Sequence, residues 1–290
     1  MSKTAGNATI VITGCSSGFG RVTTLHLARR GWQVFATVRR EADAEQLLAE
    51  AKTLGINGNL TPLLCDITDA AQVKAMSEQV AAATPALTAL LNNAGTAFAG
   101  PLELIDLDDL RAQFEINTIA HIGVTQALLP LLKEARGTII NVSSVNGRIP
   151  LPALGPYGAS KFALEALSDS LRVELAPFGV RVVVIEPTSS PTGIWRTSME
   201  RARGKLEQYR GQGSPYERLL TVMEKSAMRL ASGRGGFPPE LFAQTVEKIL
   251  RSPRPRTRYA VPPSMAWAMR LRYWLPDRFW DWQIRRSLRW

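Results

Sequence analysis

In the segment YGASK, residues 157–161, Tyr157 and Lys161 lie four positions apart. On a helix that spacing puts a phenol and an ammonium on one face. The pair reads either as a surface contact at a helix start or as a phenol tuned to move protons. A free phenol titrates at about pH 10, too high for a base at neutral pH. A close cation favours the phenolate and lowers that value by roughly one to three pH units.

A second constellation lies near the N-terminus. TGCSSGFG places Gly14, Gly18 and Gly20 between an apolar run and a helical pattern. Glycines there allow a tight turn and close backbone approach, and the helix N-terminus beyond offers free N–H groups to a pyrophosphate. The spacing differs from G-x-G-x-x-G, and the plain alternative is a tight turn. The next strand ends TVRR. Val38 stands where a carboxylate for a ribose 2′-hydroxyl is expected, and Arg39 and Arg40 follow. An arginine fork suits a 2′-phosphate, so Arg39 points to NADP(H) over NAD(H), whereas Arg40 reads equally as a solvated loop residue.

These residues need a scaffold, and the hydrophobic pattern supplies one. Short apolar runs at residues 8–13, 32–38, 60–67, 87–93, 137–144, 179–187 and 257–262 read as strands. Helical patterns separate them, including one long helix over 108–135 and one from YGASK to Phe178. Strict alternation predicts an α/β fold: a Rossmann-type, doubly wound parallel sheet of seven strands with helices on both faces. The expected single domain spans 1–263. It includes a polar, arginine-rich insert over 189–236 where the rhythm breaks.

Composition narrows the class. No apolar run is long enough to span a bilayer, and the polar N-terminus does not read as a secretory signal. Cys15 and Cys65 are the only cysteines, so a reducing, cytoplasmic compartment is expected. Cys15 reads as a small filler in the loop. The two histidines, His26 and His121, lack metal-ligand spacing and partners in the sequence. The net charge is +10, and residues 251–290 hold ten arginines against two aspartates. Five of the seven tryptophans lie there too. Residues 264–290 are therefore a Trp/Arg-rich extension, divided by Pro276 into two short helical pieces. It suits ordinary packing, docking on a partner subunit or on the substrate loop, or peripheral contact with an anionic membrane surface. No nucleic-acid readout motif accompanies the charge.

TGCSSGFG, NNAG at 92–95, Asn117 in FEINTIAHIG, NVSS at 141–144 and YGASK occur in an order and spacing that resemble the short-chain dehydrogenase/reductase family. The similarity is strong over 8–192 and leans towards the hydroxysteroid and retinol dehydrogenase branch. It implies a catalytic set of Asn117, Ser144, Tyr157 and Lys161. Tyr157 would be the general acid or base, and Ser144 would place the substrate oxygen. Lys161 would hold the nicotinamide ribose, and Asn117 a water leading to solvent. Ser143 reads as structural. The resemblance extends cofactor contacts to Ser16, Ser17 and Phe19 of the glycine loop, to Asp66 and Ile67 near the adenine, and to Asn93, Ala94 and Gly95. Asn92 would serve the sheet. The family's Pro-Gly pair with a downstream threonine matches Pro187 and Thr192, but Thr188 replaces the glycine. Threonine resists positive φ, so a changed backbone is expected there.

The implied activity interconverts a hydrophobic ketone or aldehyde and its alcohol by hydride transfer from NADP(H). A 3-oxoacyl thioester reductase and a non-catalytic NADP(H) sensor or scaffold are the alternatives. A homodimer or homotetramer paired through residues 108–135 and 157–178 is implied by resemblance. In the insert, Trp195, Met199, Tyr209, Leu219 and Met223 form either an apolar lid or a packed helical hairpin. Arg196, Arg201 and Arg203 are candidates to meet an acidic substrate.

Overall fold

The computed structural model describes residues 8–191, 194, 197–198, 201, 214–232 and 235–288. Thr192, Trp195, Arg196, Met199, Arg203, Tyr209 and Trp290 lie outside the described residues. The strands are β1 (Thr9–Ile12), β2 (Gln33–Val38), β3 (Leu60–Leu64), β4 (Ala89–Asn92), β5 (Thr138–Val142), β6 (Arg181–Pro187) and β7 (Arg258–Val261). The helices are α1 (Gly18–Arg29), α2 (Glu41–Thr53), α3 (Ala70–Ala83), α4 (Leu107–Phe114), α5 (Ala120–Ala135), α6 (Gly155–Glu174), α7 (Glu217–Ala231), α8 (Pro239–Arg251), α9 (Met265–Trp274) and α10 (Asp277–Leu288).

The seven strands form one sheet in the order β3-β2-β1-β4-β5-β6-β7, with every pair parallel. Alternate side chains feed opposite layers, as the strand period requires. Ile10 and Ile12 join Trp32, Leu47, Phe242 and Val246 on one face. Val11 and Phe35 join Met76, Val124 and Leu128 on the other. The connections run outward from β1 to β3, then cross to β4 on the other side. The crevice at the carboxyl ends of β1 and β4 is where a doubly wound sheet binds its ligand.

A buried polar ladder fixes the helices on this frame. Asn92 Nδ2 donates to Thr125 Oγ1 at 2.9 Å and to Asn141 Oδ1 at 2.9 Å. Asn141 Nδ2 continues to Ser168 Oγ at 2.9 Å. Asn92 thus serves the sheet and joins α5, β4, β5 and α6.

Three segments differ from expectation. The single helix expected over 108–135 is broken by a π-helical turn, Glu115–Ile119, centred on Asn117. Such a turn follows where a side chain draws the backbone out of the regular ladder. The helix carrying YGASK ends at Glu174, and a short 3₁₀ turn covers Ala176–Phe178. Inside the insert α7 is helical and buries Leu219, Leu220 and Ala227. Beyond β7 the extension forms α9 and α10, separated at Leu275 and Pro276. No described helix is long and apolar enough to cross a membrane.

Candidate active site

The glycine loop sits directly on the segment after β4. Gly14 has φ +72°, and a Cβ there would stand 2.8 Å from Ala94 Cα. A Cβ on Gly20 would stand 2.3 Å from the Gly14 carbonyl oxygen and 2.6 Å from Asn93 Nδ2. Both positions therefore require glycine. Thr13 Oγ1 accepts from the N–H groups of Asn93 and Ala94 at 2.9 and 3.0 Å. Asn93 Nδ2 donates to Thr13 O at 2.8 Å and Gly14 O at 3.2 Å. The Asn93 amide is thus committed to holding the loop.

Ser17 precedes α1 with extended backbone, is exposed and makes no side-chain cap. The first N–H groups of α1 consequently stay available to an anion. This cradle fits a pyrophosphate, with half-buried Ser16 beside it. Phe19 contributes only backbone there. Its ring stacks on Phe242 at 4.3 Å and Phe237 at 5.6 Å between centroids, within the core. Cys15 is fully buried, and burial pushes its thiol up to about 12, as suits a filler.

At the end of β2 the two arginines part. Arg40 grips Asp43 through Nε at 2.8 Å and Nη2 at 2.7 Å. Arg39 is exposed, and no hydrogen bond or ion pair engages it among the described residues. Asp66 Oδ1 accepts from Thr68 N at 3.0 Å and Thr68 Oγ1 at 2.7 Å. The Ile67 side chain is buried in the core, so any cofactor contact at that position is through its backbone.

Ser144, Tyr157 and Lys161 converge beyond β5. Ser144 Oγ accepts from Asn146 N at 3.1 Å, lies 3.4 Å from the Pro187 carbonyl and is hydrogen-bonded to Tyr157. Lys161 Nζ donates to Val142 O at 2.8 Å and stands 5.9 Å from the Tyr157 ring centroid. Tyr157 is half-buried, and its pKa in the cofactor-free protein lies above the ordinary phenol value. Burial raises it, and the Ser144 hydrogen bond offsets only part of the rise. Burial also pulls Lys161 down to about 7, against the opposing charge of Glu165. Ser143 Oγ is buried with no hydrogen-bond partner, consistent with a structural position.

Asn117 differs from its expected role in one respect. Its Oδ1 accepts from Thr96 N at 2.9 Å, while Nδ2 donates to Thr96 O at 3.0 Å and Ser160 Oγ at 3.2 Å. Both amide hydrogens are used, so a water at this point would rely on backbone groups of the π turn. Gly95 separates Asn117 from Lys161: a Cβ there would lie 3.4 Å from Asn117 Oδ1 and 3.9 Å from Lys161 Nζ.

Several positioning residues escaped the sequence reading. Ser160 Oγ donates to Tyr157 O at 2.8 Å and so ties Asn117 to the YGASK helix. His121 and His26 each meet a partner on another segment. His26 Nε2 meets Glu247 Oε2 at 2.6 Å. His121 Nε2 lies 2.7 Å from Ala94 O, so the proton sits on Nε2, which donates to the carbonyl. Arg201, a candidate for acidic substrates, instead donates to Thr96 Oγ1 at 2.6 Å and covers Phe98. Pro187 closes β6. Thr188 keeps ordinary backbone, since Arg136 and Ala153 are the only described non-glycine residues with positive φ. Its N–H donates to Val261 O at 2.8 Å, so the expected distortion is not needed.

Beside the N-terminus of α6 lies a groove of about 540 Å³. Leu102, Ile149, Leu151, Leu219, Trp280 and Ile284 are among its lining residues. The last two bring the C-terminal extension to the groove.

A glycine cradle at the switch point of a parallel sheet, with Ser144, Tyr157 and Lys161 across the crevice, defines a nicotinamide-dependent oxidoreductase fold. Residues 8–203 match the family model for short chain dehydrogenase. The chain belongs to the short-chain dehydrogenase/reductase family. Retinol dehydrogenase 5 of Homo sapiens is 37% identical over 287 residues, covering 96% of this chain and 86% of the relative. The NADPH-dependent 3-dehydrocapnine reductase of Ornithobacterium rhinotracheale is 34% identical over 278 residues, covering 93% and 94%. A short chain dehydrogenase/reductase from Burkholderia phymatum, solved in complex with NAD, superposes with TM-score 0.77 at 23% identity, covering 93% and 94%.

Proposed function

We propose that this oxidoreductase uses NADP(H) to reduce a hydrophobic ketone or aldehyde to its alcohol, and reversibly oxidises the alcohol. The observation that carries the reading is the convergence of Tyr157 with Ser144 and Lys161 at the carboxyl edge of β5. When bound, the nicotinamide would supply or accept the hydride. Tyr157 holds the proton that the carbonyl oxygen receives, and Ser144 orients that oxygen by a hydrogen bond. Lys161 and the π turn at Asn117 form the route by which the proton is replaced.

Unpaired Arg39 favours a 2′-phosphate over a free hydroxyl, in keeping with NADPH use by the dehydrocapnine reductase. Gly14, Ser16, Ser17, Gly18 and Gly20 would hold the pyrophosphate. Asp66 would face the adenine, with Asn93, Ala94, Gly95 and Pro187 along the nicotinamide side. The apolar side chains of the groove, which Glu103, Arg272, Asp281 and Arg285 also line, support a lipophilic substrate, because burial of apolar surface stabilises binding. Exposed Ile119, Phe162 and Val173 support pairing of copies through the long helices. Exposed Trp267, Trp274 and Trp282 beside arginines of the extension support contact with an anionic membrane surface.

The test is a panel of lipophilic ketones, aldehydes and alcohols, followed through the near-ultraviolet absorbance of the reduced nicotinamide. Consumption of NADPH with a lipophilic carbonyl is expected. Turnover confined to small polar carbonyls, or none across the panel, would contradict the reading.

A further inference from the structure

Lys161 is 4% exposed, and no carboxylate lies within ion-pair distance of its ammonium among the described residues. A buried ammonium with a carbonyl partner has given up hydration without a matching anion. Glu165 lies one turn further along α6 and is equally buried, at 4% exposed. It is the one charge that opposes the fall in the Lys161 pKa.

Glu165 belongs to a buried ionic cluster. Its Oε2 accepts from Arg258 Nε at 3.1 Å, and Arg258 Nη2 also grips both Asp169 oxygens at 2.7 Å. Glu186, from β6, lies 3.7 Å from Arg258 Nε and 3.4 Å from Arg148 Nε. Arg172 also meets Asp169, at 2.7 Å. From α5 the facing group is His121, whose imidazole is neutral because burial, and then Lys161, lower its pKa to about 3. Glu165 Oε1, Glu186 Oε1 and Arg148 Nε are all buried without a hydrogen-bond partner among the described residues.

Two close buried carboxyls do not both keep their charge easily. Burial, and then Glu165, push Glu186 up to about 7. Arg258 stands nearer to Glu165 than to Glu186, 3.1 against 3.7 Å. Of the two carboxyls, Glu165 thus has the closer guanidinium and shares α6 with Lys161.

We propose that Glu165 is a positioning residue for the Tyr157–Lys161 pair: its carboxylate, anchored by Arg258, holds the Lys161 ammonium in its charged form. The proposal rests on the reading that this pair handles the proton. It adds a residue on the buried side of α6, away from cofactor and substrate. Glu165 is the one anion among the described residues that favours the ammonium, so removing its carboxylate lowers the Lys161 pKa.

The experiment is a pH titration of the full chain carrying isotope-labelled lysine, with the Lys161 side-chain resonance followed by NMR. Native Lys161 is expected to titrate at about 7. Glu165→Gln should titrate about one pH unit lower, and Glu165→Asp, which keeps the charge, within about half a unit of native. Titration of Glu165→Gln at the native pH would overturn the proposal. So would an equal fall in the Gln and Asp proteins, which would point to packing. Should Glu165→Gln not fold, isotope-labelled glutamate in a Glu186→Gln chain gives the answer, since that change removes the other carboxyl expected to titrate at about 7. The Glu165 carboxyl signal must then move where Lys161 titrates, and no movement would overturn the proposal. These titrations use resting protein, so their outcome is separate from whether Tyr157 carries turnover.

Discussion

The carboxamide of Asn117 holds Thr96 by both backbone groups, accepting from its N–H at 2.9 Å and donating to its carbonyl at 3.0 Å. This grip joins the broken α4–α5 helix to the segment after β4, and Ser160 carries it on to the Tyr157 backbone. In Asn117→Ala the Thr96 carbonyl keeps Gln113 Nε2 as a partner at 2.9 Å, but the Thr96 N–H is orphaned. One buried unsatisfied group costs about 1–3 kcal/mol. Thermal or denaturant unfolding should show that loss, together with reduced turnover.

Arg39 and Arg40 are adjacent but differently engaged. Arg39→Ala should lower the preference for NADPH over NADH by roughly 10- to 100-fold, the worth of a charge-assisted contact. Arg40→Ala should change it far less, because its guanidinium is occupied by Asp43. The ratio of kcat/KM for the two cofactors in each variant checks this.

Much of this was legible in the sequence. The strand and helix alternation predicted the sheet because a parallel strand buried on both faces must be apolar throughout. Gly14, Ser144, Tyr157 and Lys161 carried their spacing openly. The π turn did not, since a helical pattern continues through Asn117 and only the contact with Thr96, distant in sequence, breaks it. His121, Ser160 and Glu165 were hidden for the same reason: their partners lie on other elements or in backbone carbonyls. Burial raises the Tyr157 pKa in the cofactor-free protein, a loss of water that the sequence does not show.

His121 gives a pH dependence with a definite sign. Its folded pKa is lowered to about 3 from an ordinary 6.5, so below 6.5 the unfolded chain gains a proton that the fold refuses. The stability it contributes is present above 6.5 and is lost as pH falls towards 3. Glu186 acts oppositely: with its pKa raised to about 7, it favours the fold as pH falls from 7 towards 4.5. Comparison of native protein with His121→Asn isolates the first effect. Between pH 6.5 and about pH 5 the native protein should lose about 2 kcal/mol more than the variant.

The extension leaves Trp274 84% exposed and Trp267 72% exposed. Co-sedimentation with vesicles containing anionic lipid should retain the native chain. The Trp267→Ser, Trp274→Ser double variant should lose most of that binding with its fold intact. Equal pelleting of the two would remove the support for membrane contact through these helices.

The most direct measurement is turnover of Tyr157→Phe alongside its NADPH affinity. Removing one hydroxyl leaves the ring, α6 and the glycine cradle in place. The account predicts a fall in kcat of about 10²- to 10⁴-fold with NADPH bound nearly as tightly as by the native protein. Native-like turnover in that variant would contradict it.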